Sequence, residues 1–88
     1  MIYEILFTNT ALESIKKIDK EIRNRLISKI EWLSQNMDLI RPTRLKGKFS
    51  TLYKLRVGNY RIIYDVDYDN LQIVIHFVGH RKEIYKID

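Results

Sequence analysis

Two short stretches concentrate the side chains able to do chemistry. The first, "YKLRVGNYRIIYDVD" (53–67), carries Lys54, Arg56 and Arg61; the second, "GHRKEIY" (79–85), carries His80, Arg81 and Tyr85. The first reads as a β-hairpin turning at Gly58-Asn59, where a leading glycine suits a type II′ turn. That register sets Arg56 directly across from Arg61, with Lys54 on the same face. Like charges opposed on a ladder repel, so fold stability does not account for them. If the second stretch folds back over this face, an imidazole, a guanidinium and a phenol join three cations. The set suits phosphodiester chemistry without a metal. RNA cleavage needs a base for the 2′-hydroxyl, cations for the charged phosphorane, and a donor for the leaving 5′-oxygen. Plain phosphate binding by a basic face fits the same residue types.

Net charge is +5, and its distribution says more than its size. Arg41, Arg44, Lys46, Lys48, Lys54, Arg56 and Arg61 fall between Leu39 and Tyr64 without one Asp or Glu, whereas the rest of the chain is slightly acidic. A basic stripe of this kind fits a phosphate-rich partner, and a charge run alone fits a solvated surface equally well. Metal chemistry is not expected. "DVDYDN" (65–70) resembles the start of a calcium loop, but Asn70 stands at the glycine position and His76 at the closing glutamate position. On a strand, His76 and His80 would stand roughly 13 Å apart, too far to share an ion. With no cysteine there is no thiolate site and no disulfide. No cofactor fingerprint is present.

The elements that must position these residues follow from periodicity. Ile2 to Phe7 predicts a strand, and Thr8 or Asn9 an N-cap. Leu12, Ile15 and Ile18 predict a short amphipathic helix; Ile22, Leu26, Ile30 and Leu33 predict a second, with Asp19 at its start. Asn36 to Thr43 is a loop containing Pro42, and 44–46 a short strand or bend before Gly47. Strands are expected at about 51–57, 60–67 and 71–79, the last two joined by a turn at Asp69-Asn70. Tyr60, Ile62, Tyr64, Val66, Ile73, Ile75 and Phe77 would then face the helices. Lys54, Arg56, Arg61, Val74, His76 and Val78 would face away. Gly79 is expected to end the last strand. The order β-α-α-β-β-β predicts one α+β domain over residues 1–88: a twisted, mostly antiparallel sheet with an N-terminal strand and a helical hairpin on one face.

"YKLRVGNYRIIYDVD" followed by "VGHRKEIY", with Leu45-Lys46-Gly47 ahead of the strands and the helical hairpin before them, resembles the RelE/ParE superfamily of toxins across essentially the whole chain. The resemblance implies the toxin of a type II toxin–antitoxin system. It implies a metal-independent, ribosome-dependent endoribonuclease that cuts mRNA in the ribosomal A site. Attack by the 2′-hydroxyl would leave a 2′,3′-cyclic phosphate and a 5′-hydroxyl. A cognate antitoxin, mRNA and ribosomal RNA would be its partners. Lys54 matches a catalytic-face lysine, Arg61 the arginine that grips the scissile phosphate, Arg81 the arginine at the leaving group, and Tyr85 a tyrosine that orients substrate. Arg56 departs from the family pattern, which has a second lysine there. Arginine keeps its proton, so Arg56 suits a phosphate clamp rather than a base. The base role is divided between Lys54 and His80, because other superfamily members use a C-terminal histidine. Arg44, Lys46 and Lys48 are expected to bind RNA.

Two alternatives stand on the same fold: a ParE-like gyrase inhibitor, and a catalytically decayed toxin acting as an antitoxin-bound co-repressor. "MIYEILF" lacks the cationic start and cleavage site of a signal peptide, and no apolar run approaches the roughly 18 residues of a membrane span. A cytoplasmic protein with no membrane partner is the expectation.

Overall fold

A computed structural model describes residues 2–84. Strand β1 (Glu4–Phe7) leads into helices α1 (Asn9–Lys16) and α2 (Lys20–Asn36). The edge strand β2 (Thr43–Arg44), β3 (Tyr53–Val57), β4 (Tyr60–Asp67), β5 (Gln72–His80) and a one-turn helix α3 (Arg81–Ile84) follow. The five strands lie in the order β1-β5-β4-β3-β2. Among the described residues only the β1–β5 pair is parallel. The expected α+β class and sheet are present; α3 and two 3-10 turns, Met37–Leu39 and Gly47–Phe49, are additions. Among the described residues no helix is long and apolar enough to cross a membrane.

The helical hairpin buries one stripe against one sheet face. On α2 it is the expected Leu26, Ile30 and Leu33, meeting Ile62, Tyr64, Ile73 and Ile75. On α1 the stripe is Ala11, Ser14 and Ile15, whereas Leu12 is exposed. Small side chains let α1 come close to β5, and a leucine there would hold it away. Asp19 precedes α2 but makes no side-chain capping bond; its carbonyl accepts from Arg23 N–H at 2.7 Å.

That close approach solves an edge problem. β1 covers β5 only as far as the Phe7–Ile75 pair. Beyond it, the edge of β5 meets the start of α1. Thr8 Oγ1 donates to the His76 carbonyl (3.3 Å) and accepts from Ala11 N–H (3.1 Å), capping α1. Ser14 Oγ accepts from Val78 N–H (3.1 Å) and donates to the Ala11 carbonyl (2.8 Å). Two hydroxyls thus stand in for a missing strand. Ser14→Ala is expected to strand the buried Val78 N–H and destabilise the protein by about 1–3 kcal/mol, more than the few tenths gained in helix propensity. Denaturant unfolding would measure it; an unchanged midpoint would show that water or a backbone shift replaces the hydroxyl.

The hairpins hold the expected register, with two differences. Val57 pairs with Tyr60 and Arg56 with Arg61, and Gly58 carries the positive φ (58°) of the turn. The second turn is longer than Asp69-Asn70. It spans residues 68–71 between the paired Asp67 and Gln72, and the left-handed residue is Leu71 (φ 54°). Asp67 ties it by accepting from the Asn70 side chain and from the Asn70 and Asp69 N–H groups. These bonds, led by the Asn70 side chain, hold its carboxyl below the ordinary range. The larger difference is a β-bulge. Ile63 pairs with Phe77 and Tyr64 with Ile75, leaving His76 as an extra residue on β5. One inserted residue reverses the alternation beyond it. Val78, expected to face away, joins the helix-side core, and Phe77, expected in that core, faces away.

Phe77 is half-buried on that face. The loop from β2 to β3 folds over the second sheet face, and Leu45, Ile63 and Ile84 form a small core there, flanked by Phe49, Leu52 and Phe77. The loop is held by Leu45 N–H to the Leu52 carbonyl (2.9 Å) and Leu52 N–H to the Phe49 carbonyl (2.9 Å). Gly79 lies inside β5 rather than ending it. A Cβ there would stand 2.6 Å from Phe77 Cε2, so the residue makes room for that ring.

Candidate active site

The sheet face opposite the helices carries the cations. Thr43 on β2 pairs with Lys54 on β3, and Arg56 on β3 pairs with Arg61 on β4. Their side chains line one cleft of about 200 Å3. Among the described residues no carboxylate lines it. Its cause is local: three antiparallel strands present every second residue to this face, and at this corner those residues are Thr43, Lys54, Arg56 and Arg61.

The three cations differ in setting. Arg56 is exposed and Lys54 half-buried, but Arg61 is only 6% exposed. Arg61 therefore forms the floor of the cleft, where a solvent-facing side chain was expected. Its Nη1 turns back to the β3–β4 turn and donates to the Gly58 and Tyr60 carbonyls at 2.9 and 2.8 Å. A guanidinium has five N–H donors, so Nη2 and Nε remain to meet an anion. Two carbonyl dipoles hold the charge, and unlike a carboxylate they do not compete with a phosphate.

Arg81 begins α3. Its side chain is exposed, and its N–H donates to the Asn59 carbonyl at 2.7 Å. The segment to Ile84 does fold back over the cation face, because Ile84 packs on Ile63 and Leu45. Tyr85 lies outside the described residues. His80 is not brought to the cleft. It pairs with Tyr60, and the Arg61–Gly79 pair puts Gly79, not His80, on the cation face. The imidazole contacts the Tyr60 ring edge-on at 5.4 Å, and its Nδ1 accepts from Lys82 N–H at 3.2 Å. The basic segment also divides. Arg44 lies over the Tyr53 ring (4.8 Å), on the helix side of the sheet, and donates to the Ser50 carbonyl (3.2 Å). Lys46 and Lys48 are exposed on the loop that covers the cation face, Lys48 standing 5.3 Å from the Phe49 ring.

Beside the cleft, the same sheet face opens into an apolar depression of about 690 Å3 lined by Leu45, Phe49, Leu52, Ile63, His76 and Phe77, among others. His76 Nε2 is buried there without a hydrogen-bond partner among the described residues. Sequence reasoning did not find this feature. Leu45, Phe49 and Leu52 do recur at spacings of four and three within the basic stretch, which is a signal of a buried face. On the helix side, burial drives the Tyr64 hydroxyl well above the ordinary phenol range, and Tyr68 and Tyr53 add to the effect.

A cationic cleft on a five-stranded α+β fold is not in itself a family. The sequence profile of the ParE toxin of type II toxin–antitoxin system, parDE, matches residues 5–85. The chain belongs to the RelE/ParE toxin superfamily. Toxin RelE3 of Methanocaldococcus jannaschii is 35% identical over 86 residues, covering 93% of this chain and 94% of its own length. Among solved structures, the toxin–antitoxin complex RelBE2 of Mycobacterium tuberculosis contains a chain 26% identical, with a TM-score of 0.79 over 92% of this chain and 100% of that one. The RelB–RelE antitoxin–toxin complex of Methanococcus jannaschii contains one 34% identical, with a TM-score of 0.66 over 93% of this chain and 96% of that one. In this RelE/ParE toxin, then, the cation cleft lies on a sheet face that the helical hairpin leaves uncovered.

Proposed function

We propose that this toxin is a ribosome-dependent endoribonuclease that cuts mRNA in the ribosomal A site without a metal, and that a cognate antitoxin silences it. One observation carries the reading: a cleft in which Lys54, Arg56 and Arg61 converge beside Thr43, with no carboxylate lining it among the described residues. Such a cleft suits a phosphodiester better than any neutral substrate.

The chemistry follows from the residue types. The 2′-hydroxyl loses its proton to a base, and its oxygen attacks the adjacent phosphorus. The bond from phosphorus to the 5′-oxygen breaks, leaving a 2′,3′-cyclic phosphate and a 5′-hydroxyl. Arginine cannot accept the proton, and a threonine hydroxyl is a poor base. Lys54, in its amine form, is therefore the acceptor, and it later returns the proton to solvent. Arg61 and Arg56 donate to the non-bridging oxygens as negative charge builds. Arg81 donates to the departing 5′-oxygen, which takes its proton from water. Tyr85 stacks on a base, and Arg44, Lys46 and Lys48 hold flanking phosphates of mRNA or ribosomal RNA.

The antitoxin is a chain that sets acidic residues over the cleft and apolar residues in the adjoining depression. Both surfaces lie on one face, so a single segment can cover them. A gyrase inhibitor is the second reading, favoured by the ParE description of the matching profile. Primer extension on cellular mRNA after induction separates the two. Cuts inside translated codons are expected, and linearised plasmid DNA with intact mRNA would favour the gyrase reading.

A further inference from the structure

We propose that His80 is a positioning residue: its imidazole Nδ1 caps α3 and so sets where Arg81 stands. This rests on the reading of Arg81 as the donor to the leaving oxygen. His80 occupies the N-cap position, extended at the end of β5 and immediately before Arg81. An N-cap side chain accepts from the second or third N–H of its helix. Lys82 supplies the second, at 3.2 Å from Nδ1. Histidine is a weak candidate by type, since Ser, Thr, Asp and Asn lead at this position. Here its ring is held from the other side as well, edge-on to Tyr60 at 5.4 Å. Behind it lies a crevice of about 130 Å3 lined by Ser14, Lys17, Tyr60 and Glu83, among others.

The bonds around the β3–β4 turn show why this matters for the cleft. Three consecutive carbonyls anchor both arginines. Those of Gly58 and Tyr60 take Arg61 Nη1, and that of Asn59, between them, takes Arg81 N–H at 2.7 Å. The turn is therefore a common base for the phosphate grip and the leaving-group donor. On the Arg81 side two bonds complete the joint: Asn59 to Arg81, and Nδ1 to Lys82. A helix of one turn has no length to stabilise itself. Its other hold is Ile84 in the small core. Without the cap the first turn can fray while Ile84 stays packed, and Arg81 loses its fixed place. His80 thus acts from the helix side of the sheet on chemistry occurring at the other side.

The test uses the purified full chain with His80→Ala, His80→Phe and His80→Asn, each with and without Arg81→Ala. Phenylalanine keeps the ring contact with Tyr60 and loses the acceptor; asparagine restores an acceptor suited to an N-cap. Amide exchange gives a readout independent of catalysis. The Lys82 N–H is expected to exchange about five- to thirtyfold faster in His80→Ala and His80→Phe, the factor that loss of an ordinary cap represents, and to be slow again in His80→Asn. Single-turnover cleavage of mRNA on programmed ribosomes should fall by a similar factor in the first two variants and recover in the third. In the Arg81→Ala background, His80→Ala should cost no more than about twofold, since a residue acting through another adds nothing once that other is gone. Unchanged Lys82 exchange in a folded His80→Ala would overturn the cap. A full further loss in the Arg81→Ala background, or asparagine failing where alanine fails, would make His80 a participant in its own right. If the wild type cuts no RNA, the proposed function falls, while amide exchange still decides the cap.

Discussion

Arg61→Ala is expected to lower the rate of mRNA cleavage about a hundred- to a thousandfold, or about 2.7–4 kcal/mol of transition-state stabilisation, the usual effect of removing one pre-set donor to developing charge. Burial is what makes Arg61 costly to lose. A guanidinium only 6% exposed, already bonded to two carbonyls, is oriented before substrate arrives and needs no reorganisation when charge builds on phosphorus. The same bonds mean that the substitution is not silent for the fold. The Gly58 and Tyr60 carbonyls lose their donor, and a space opens under the cleft. Repulsion from Arg56 is relieved at the same time. Lost hydrogen bonds are worth about 1 kcal/mol net, so a folded protein with slightly reduced stability is expected. Single-turnover cleavage on programmed ribosomes, read beside a denaturant curve, tests both halves. A variant that keeps more than a tenth of the wild-type rate would remove Arg61 from the phosphate grip.

Lys54→Ala is expected to lower cleavage about a hundred- to ten-thousandfold, the range for loss of a general base. Lys54→Arg separates base from cation. It keeps a positive charge opposite Ile63 and beside Arg56, so RNA affinity should change by less than about threefold, but arginine cannot accept the 2′-proton, and the rate should stay near that of alanine. If arginine restores the rate, Lys54 is a phosphate contact and the proton leaves by another route. Arg56→Ala, at an exposed position, should weaken substrate binding more than the chemical step.

Much of this toxin was legible without coordinates. The helix stripe Leu26, Ile30 and Leu33, the Gly58-Asn59 hairpin and the register that opposes Arg56 to Arg61 are local patterns. Each is dictated by spacing along a few residues, by turn chemistry or by the two-residue period of a strand. Opposed arginines were readable as a functional conflict because repulsion across a ladder needs a compensating partner.

What tertiary structure decided lies where distant segments meet. The bulge at His76 forms where β5 outruns β1 and the Thr8 and Ser14 hydroxyls take over its edge. Nothing in the alternation of residues 72–80 announces it, since a period of two is blind to one inserted residue until its neighbours are known. Two consequences follow for the site: His80 goes to the helix side, away from Lys54, and Phe77 goes to the cation side, where it packs half-buried against the small core of Leu45, Ile63 and Ile84. Burial of Arg61 is likewise not a property of strand β4. A charge leaves water only where nearby groups can hold it. Here the holders are the carbonyls of its own hairpin turn, on a sheet face that the loop and α3 partly cover. The sequence by itself determined which side chains are available, the face on which Lys54, Arg56 and Arg61 meet, and the fold that presents them. Which of them is buried, which is tied to the turn, and which candidate stands on the opposite side of the sheet depended on contacts between residues far apart in the chain.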